Sequence, residues 1–138
     1  MAKKFNISLD DNDKEFQLFG INTILKDYQL CFLINDFFGI KTHLINTSNF
    51  EDEFSVFGDL IDELKVILVQ NKSINNNLIF TKLKAFEYIV IVNNQDEDVA
   101  NIVKTFETND EILYISKIDM QYLSLKGVAL SSQLLGML

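Results

Sequence analysis

The chain contains no arginine, no proline and no tryptophan, and it has one cysteine, Cys31, and one histidine, His43. A single cysteine cannot form a disulfide within the chain, so the fold is not a disulfide-linked scaffold. Without arginine the protein lacks the side chain that holds phosphate or carboxylate groups through two parallel hydrogen bonds. All twelve basic residues are lysine, and the net charge is −8. Nucleic-acid binding, which needs clustered positive charge, is therefore not expected.

Long apolar runs are also absent. No run approaches the roughly 18 residues of a membrane-spanning helix. The longest mainly apolar stretches, residues 64–69 and 88–92, have the length of strands. Residues 1–4 are followed by an alternating segment and an acidic run, and not by the apolar core of a secretory signal. A free thiol without an export signal predicts a cytoplasmic protein.

The size and the apolar content predict one folded domain. The chain has 138 residues, of which 48% are hydrophobic and 23% are charged. This composition supports a hydrophobic core and differs from that of disordered chains. We expect residues 1–126 to form a single domain and residues 127–138 to form an uncharged apolar tail. The acidic surface suits either solubility alone or a basic protein partner.

The spacing of apolar residues predicts the order of the elements. A first helix is expected over residues 23–38, capped by Asn22 or Thr23 and ended by Gly39, and a second over 96–107. Strand patterns lie near residues 5–9, 16–19, 41–47, 53–58, 64–70, 77–82, 86–93 and 112–118. Five of these strands follow one another with short links, which is typical of an antiparallel meander. The sequence predicts an α+β fold, a mainly antiparallel sheet of about six or seven strands with two packed helices.

Two strands lack the alternation of a sheet with one wet face. Residues 64–69 contain Lys65 as their one polar residue, and residues 88–92 are apolar. Such strands are usually covered on both faces of their sheet. Two helices can cover one face, so the tail, a long loop or a second chain must cover the other. Since burying one Leu stabilises a protein by about 1.5–3 kcal/mol, we expect the tail to be ordered against its own sheet or another chain.

One block of the sequence is recognisable. It spans residues 16–35 and is centred on Leu25, Asp27, Tyr28, Leu30 and Asn35. This block resembles the N-terminal part of the IPExxxVDY family, a group of small uncharacterised proteins from Bacteroidota. Residues 69–72, Val-Gln-Asn-Lys, are similar to a later strand of that family that ends in Asn-Lys.

The name-giving motif of that family corresponds to residues 80–88. Residues 86–88, Phe-Glu-Tyr, are a conservative version of Val-Asp-Tyr, whereas residues 80–82, Phe-Thr-Lys, replace Ile-Pro-Glu. The resemblance covers about residues 5–126, and the tail is longer than the usual end of the family. It implies a cytoplasmic bacterial protein with no established activity and no established cofactor.

The sequence carries no catalytic signature. His43 lies on an alternating segment without a nearby cysteine, and we interpret it as structural. The five glycines are scattered and form no phosphate-binding loop, and no serine lies in a nucleophile-elbow pattern. Cys31 lies on the apolar stripe of the first helix, where a buried and inert thiol is expected.

Two acidic groups could in principle hold Ca²⁺ or Mg²⁺. The first consists of Asp10, Asp11 and Asp13, and the second of residues 51–53. The first group lacks the glycine and the distal glutamate of a twelve-residue calcium loop. We interpret both groups as solvated turns and predict no metal and no other cofactor.

The first helix is the most informative segment. Asp27 lies on its apolar stripe one turn before Cys31, and we expect its carboxylate to accept backbone N–H groups at the start of the helix. A ligand-binding role for Asp27 is the alternative. Tyr28 and Phe32 lie four residues apart on another side. They are either covered by a loop or exposed as a protein-binding patch, because aromatic residues are enriched at interfaces.

Two functions from different classes follow. The sequence favours a non-enzymatic protein-interaction module, an adaptor or accessory protein that binds another protein or a second copy of itself. Its possible interaction surface consists of Tyr28, Phe32, Leu134, Leu135 and Leu138. The alternative is a small-ligand-binding protein or an enzyme whose site lies near Asp27, Asn35 and Asn71. A deep polar pocket around Asp27 would favour the alternative, and a flat apolar patch would favour the module.

Overall fold

The computed structural model describes residues 16–48, 50 and 52–138. Its strands form one six-stranded antiparallel sheet. They are β1 (Gln17–Thr23), β2 (His43–Leu44), β3 (Val56–Ile61), β4 (Leu64–Gln70), β5 (Tyr88–Val92) and β6 (Ile112–Ile118). Their order across the sheet is β2-β3-β4-β5-β1-β6, so the first strand lies between the last two.

Four α-helical segments accompany the sheet in the described part of the chain. They are α1 (Asp27–Phe38), α2 (Glu97–Ala100), α3 (Ile102–Glu107) and α4 (Leu125–Gly136). Short 3-10 turns occur at Thr81–Leu83 and Met120–Tyr122. The predicted α+β fold with a mainly antiparallel sheet is confirmed. The predicted second helix is split into α2 and α3 at Asn101.

The two faces of the sheet carry separate hydrophobic cores. On the first face, α1, α2 and α3 pack against alternate residues of the strands, such as Val66 and Leu68 of β4. On the second face, Ile67 and Val69 of the same strand pack against α4 and the loops. Every residue of β5 is buried. The prediction that both central strands are covered on both faces is confirmed, because continuous apolar runs leave no side for water.

The second face is covered by the C-terminal end of the same chain. The segment predicted as a tail lies mostly within α4, which begins at Leu125. Leu134 is 0% exposed and Leu135 is 8% exposed, and both belong to the core of the second face. Ser124 caps the helix, since its hydroxyl oxygen accepts the backbone N–H of Gly127 at 3.1 Å. Of the two alternatives for the tail, the structure shows packing against its own sheet.

The start of the first helix differs from the prediction. Thr23 is the last residue of β1, and the helix begins at Asp27. The Thr23 hydroxyl instead donates to the carbonyl oxygen of Glu111 at 2.6 Å and accepts the N–H of Leu25 at 3.0 Å. Asn22 does not cap the helix either, because its side chain bonds to backbone groups of the segment that precedes β5. Both polar residues connect elements that are distant in sequence, which local patterns do not reveal.

The predicted strand at residues 77–82 is absent. Within the described residues this segment makes one isolated bridge, Lys72 to Leu78, and then enters a 3-10 turn. The apolar residues that suggested a strand are used differently, since Phe80 is 2% exposed in the core of the second face. The segment is held by buried side-chain hydrogen bonds in place of a strand ladder.

The remaining strand predictions hold with shifted ends. The strand expected near residues 41–47 is reduced to the two residues of β2, and the one near 53–58 is displaced to β3. The strand at 112–118 has the predicted bounds. The strand expected at residues 5–9 lies outside the described residues.

Glycine is required at position 20 of β1 because the ring of Phe86 packs closely against the strand there. A methyl group at this position would overlap the ring of Phe86, which stacks on Tyr114 with a centroid distance of 6.0 Å. Overpacking of this kind costs about 1–3 kcal/mol. We therefore expect Gly20→Ala to lower the free energy of unfolding by that amount in a urea titration.

A double-variant cycle checks the cause of this loss. Gly20→Ala combined with Phe86→Ala should cost less than the sum of the two single changes, because removing the ring removes the overlap. Strictly additive costs would contradict the assignment of Phe86 as the obstacle.

Candidate functional site

Helix α1 carries most of the residues that the sequence singled out, and its ends are well defined. At the start, the side-chain oxygen of Gln29 accepts the backbone N–H of Lys26 at 2.9 Å. The Asp27 carboxylate accepts the N–H of Tyr28 at 2.7 Å, so the predicted bond to the N-terminal backbone is confirmed. At the other end, Gly39 adopts a left-handed conformation with φ of 68°, as the prediction requires.

The two sides of α1 have different roles. Leu30, Cys31 and Ile34 are buried against the first face of the sheet. On the outer side Tyr28 is 53% exposed and Phe32 is 64% exposed. These two side chains, one helical turn apart, are called the aromatic ridge below. The ridge is exposed and not covered by any described loop. A role of the ridge in protein binding stays a prediction.

The exposed row of α1 continues beyond the aromatic ridge. Asp36 lies one turn after Phe32 and is exposed. Beside it a hollow of about 390 Å³ opens between α1 and the end of α3. The hollow, called the α1–α3 groove below, is lined by Leu33, Asp36, Phe37, Thr105, Phe106, Thr108 and Asn109. The ridge and the groove therefore form one continuous surface with an acidic group at their junction.

The charge around this surface is negative. Residues 24–38 and 102–111 contain five acidic side chains, Asp27, Asp36, Glu107, Asp110 and Glu111, and two lysines, Lys26 and Lys104. Five negative and two positive charges leave a net charge of −3 for these segments. The first face thus presents apolar side chains in an acidic setting.

Cys31 is an unreactive thiol. It is 7% exposed and has no disulfide partner. Burial raises the pKa of the Cys31 thiol, the hydrogen bond to Thr42 lowers it by less, and the negative charge of Asp27 adds a still smaller increase. A thiol with a raised pKa stays protonated and is a poor nucleophile. The predicted buried position is confirmed.

Tyr88 lies in the same region. Burial raises the pKa of the Tyr88 hydroxyl, and the nearby charges of Asp27 and Glu87 act in the same direction. The hydroxyl therefore stays protonated across the physiological pH range. Neither Cys31 nor Tyr88 is prepared by its surroundings for nucleophilic or basic chemistry.

The side chains of Asn35 and Asn71, which were named with Asp27 as an alternative ligand site, form hydrogen bonds with backbone groups. The side-chain oxygen of Asn35 accepts two hydrogen bonds of 2.9 Å from the N–H and the hydroxyl of Thr42. Asn71 is 1% exposed, and its amide bonds to backbone groups of the segment before β5. Asp27 and Asn35 lie eight residues apart, about 12 Å along the helix axis. The small-ligand alternative stays a prediction, and the hydrogen bonds of Asn35 and Asn71 do not support it.

The other half of the predicted interaction surface is corrected. Leu134 and Leu135 are buried in the core of the second face, so they cannot form an exposed surface. Leu138 is partly buried against the same core. These residues lie across the sheet from Tyr28 and Phe32, on the opposite face. The periodicity of α4 could not reveal this, because an apolar stripe looks the same whether it meets its own sheet or a partner.

The acidic groups were the other candidates from the sequence. The first group, residues 10–13, lies outside the described residues. In the second, the Asp52 carboxylate accepts hydrogen bonds from the side chains of Asn75 and Asn77. Hydrogen bonds from Asn77, Ser73 and Asn75 lower the pKa of Asp52. Among the described residues no set of three or more His, Cys, Asp or Glu side chains is arranged to hold a metal ion.

His43 is exposed on β2, which is the edge strand of the sheet. Its neighbour across the ladder is Gly58 of β3.

The α1–α3 groove is the feature that sequence reasoning missed. Leu33 and Phe37, four residues apart on α1, were the one available signal, but the place where α3 ends decides whether a groove forms.

None of the helices in the described part of the chain has the length and apolar character needed to cross a membrane. Comparisons with protein-family models, with curated proteins and with solved structures found no match. The resemblance to the IPExxxVDY family therefore stays a prediction. The class of protein is defined by the fold alone, an α+β domain with an exposed aromatic ridge.

Proposed function

We propose that this chain is a non-enzymatic protein-interaction module and that the aromatic ridge is its contact surface. The supporting observation is the exposure of Tyr28 and Phe32, 53% and 64%, side by side on a helix whose other side is anchored in the core. Aromatic side chains are enriched among the residues that contribute most to protein–protein binding. A helix fixed to a sheet holds them in place, which reduces the entropy lost on binding.

Isolated exposed apolar residues are common and need no function. Leu125 and Ile74, which are 89% and 75% exposed, are examples at other places on the surface. The ridge differs because its two residues lie one helical turn apart, and Phe32 lies one turn before Asp36, which lines the α1–α3 groove. This continuity favours a binding surface over chance exposure.

The proposed partner is another protein and not a second copy. The chain carries a net charge of −8, so two copies meeting at this acidic face would repel each other. A cytoplasmic location is part of the proposal and rests on Cys31, a buried thiol in a chain without a second cysteine. The pathway is set by the identity of the partner.

Affinity purification of the tagged full chain from its native host, followed by mass spectrometry, tests the proposal. The double variant Tyr28→Ser/Phe32→Ser should lose a specific set of co-purified proteins. The matched control Leu125→Ser/Ile74→Ser should retain them, since it removes as much exposed apolar surface elsewhere. Both variants should change the free energy of unfolding by less than about 0.5 kcal/mol per site, as is usual for surface substitutions.

An identical set of proteins with the wild-type chain and the ridge variant would contradict the proposal. Loss of the same proteins from the control variant would show that general surface hydrophobicity, and not the ridge, causes the binding.

A further inference from the structure

The α1–α3 groove points to the chemical character of the partner. Resting on the proposed function, we infer that the groove receives a basic amphipathic segment of another protein. A large apolar side chain of that segment enters the groove, and a neighbouring Lys or Arg pairs with Asp36 at its rim.

The floor of the groove suits an apolar side chain. Phe106 is 3% exposed, and its ring meets that of Phe37 edge to face at a centroid distance of 6.2 Å. Phe37 also contacts Phe38 edge to face at 4.8 Å. The three packed aromatic rings form an apolar surface. The volume of about 390 Å³ lies within the range of about 300–1,000 Å³ typical of binding clefts.

Asp36 is the charged group of the polar rim. The hydroxyl of Thr108 donates to the carbonyl oxygen of Thr105 at 2.7 Å, and the side-chain oxygen of Asn109 accepts the N–H of Glu111 at 2.8 Å. The Asp36 carboxylate makes no hydrogen bond and no ion pair with the described residues. The exposed carboxylate can pair with a cationic side chain of the partner. The adjacent hollow can receive an apolar side chain of the same partner.

Charge complementarity selects the occupant. The segments that form the ridge and the groove carry five acidic side chains and two lysines. A basic segment is attracted to this surface, whereas an acidic segment, a nucleic acid or a second copy of the chain is repelled. An amphipathic helix can present an apolar side chain and a neighbouring basic side chain on one side, because residues three or four apart share a face.

A binding experiment on the isolated full chain tests the inference with defined probes. The first probe is a synthetic amphipathic helix of leucine and lysine, and the second has the same sequence with glutamate in place of each lysine. Backbone amide NMR shifts and calorimetric titration report where and how tightly each one binds. We expect the lysine peptide to shift Phe32, Leu33, Asp36 and Phe106, and the glutamate peptide to leave them unchanged.

Two variants of equal charge change separate local pairing from general attraction. Asp36→Asn should weaken binding of the lysine peptide by about three- to fivefold, the effect of losing one surface ion pair. Asp98→Asn, at an exposed acidic residue of α2 that does not line the groove, should leave the affinity within about twofold, because this carboxylate makes no direct pair with the occupant. Raising the salt concentration from about 50 mM to about 0.5 M should weaken binding to the wild-type chain.

Three results would overturn the inference. The first is an equal loss of affinity for the lysine peptide in Asp36→Asn and Asp98→Asn. The second is a set of NMR shifts that map outside the ridge and the groove. The third is self-association of the chain through this face in analytical sedimentation. If Asp36→Asn and added salt do not change the amount of the proteins captured through Tyr28 and Phe32, the inference fails and the proposed function stands. If the ridge variant captures the wild-type set, the proposed function fails, whatever the lysine peptide shows.

Discussion

Removing residues 127–138 should abolish the cooperative folded state, or lower the free energy of unfolding by about 5 kcal/mol or more. The cut removes Leu134 and Leu135, whose burial contributes about 1.5–3 kcal/mol each, and the partly buried Val128, Leu130 and Met137 add to the loss. It also uncovers the apolar residues of β4 and β5 on the second face. The total approaches the whole stability of a typical domain, about 5–15 kcal/mol.

Thermal unfolding followed by circular dichroism measures this effect at several protein concentrations. Because α4 packs in its own chain, the loss should be the same at every concentration. A single substitution, Leu134→Ala, should cost about 2–5 kcal/mol, while Leu125→Ala, at a site 89% exposed on the same helix, should change stability by less than about 0.5 kcal/mol. A stable truncated monomer would show that α4 is not needed to cover the sheet.

Replacing Asn71 by Ala should lower the free energy of unfolding by about 3–5 kcal/mol. The buried amide donates to the carbonyl oxygens of Leu83 at 3.0 Å and Phe86 at 3.2 Å, and accepts the N–H of Phe80 at 2.6 Å. The Phe80 N–H and the Phe86 carbonyl lose their partner, whereas the Leu83 carbonyl keeps the N–H of Phe86 at 3.0 Å. An unsatisfied buried polar group costs about 1–3 kcal/mol. The segment between Phe80 and Phe86 should then open before the rest of the domain.

Urea unfolding gives the stability, and amide hydrogen exchange shows where protection is lost. We expect faster exchange at Phe80, Leu83 and Phe86 than at residues of β4. Asn101→Ala is the matched control, because Asn101 is exposed and its hydrogen bonds with the described residues are made by its backbone. The control should stay within about 0.5 kcal/mol of the wild-type chain. An Asn71→Ala protein as stable as the control would mean that the loop holds itself by other contacts.

Helix α1 links stability and the proposed function. Its inner side contributes Leu30 and Ile34 to the core of the first face, and its outer side presents Tyr28 and Phe32. Changes on the inner side should therefore affect binding through loss of folding, while changes on the outer side should affect binding alone. This separation is what makes the ridge variants informative.

The candidate site was only half readable from the sequence. The spacing of Tyr28 and Phe32 placed both rings on one side of a helix, because helical geometry depends on local sequence alone. The same reasoning grouped them with Leu134 and Leu135, which the sheet separates from them. The groove beside Asp36 needs the end of α3 as its second wall, and contacts between distant elements leave no local pattern.

The sequence by itself determined the elements whose causes are local. Continuous apolar runs fixed the doubly buried strands near residues 64–70 and 86–93, and Gly39 fixed the end of α1 through its left-handed conformation. Only the tertiary structure decided the place of β1 between β5 and β6, the packing of α4 on its own sheet, and the use of Asn71 to hold a loop. Each of these depends on hydrogen bonds or apolar contacts between residues far apart in the chain. No local pattern of the sequence records such contacts.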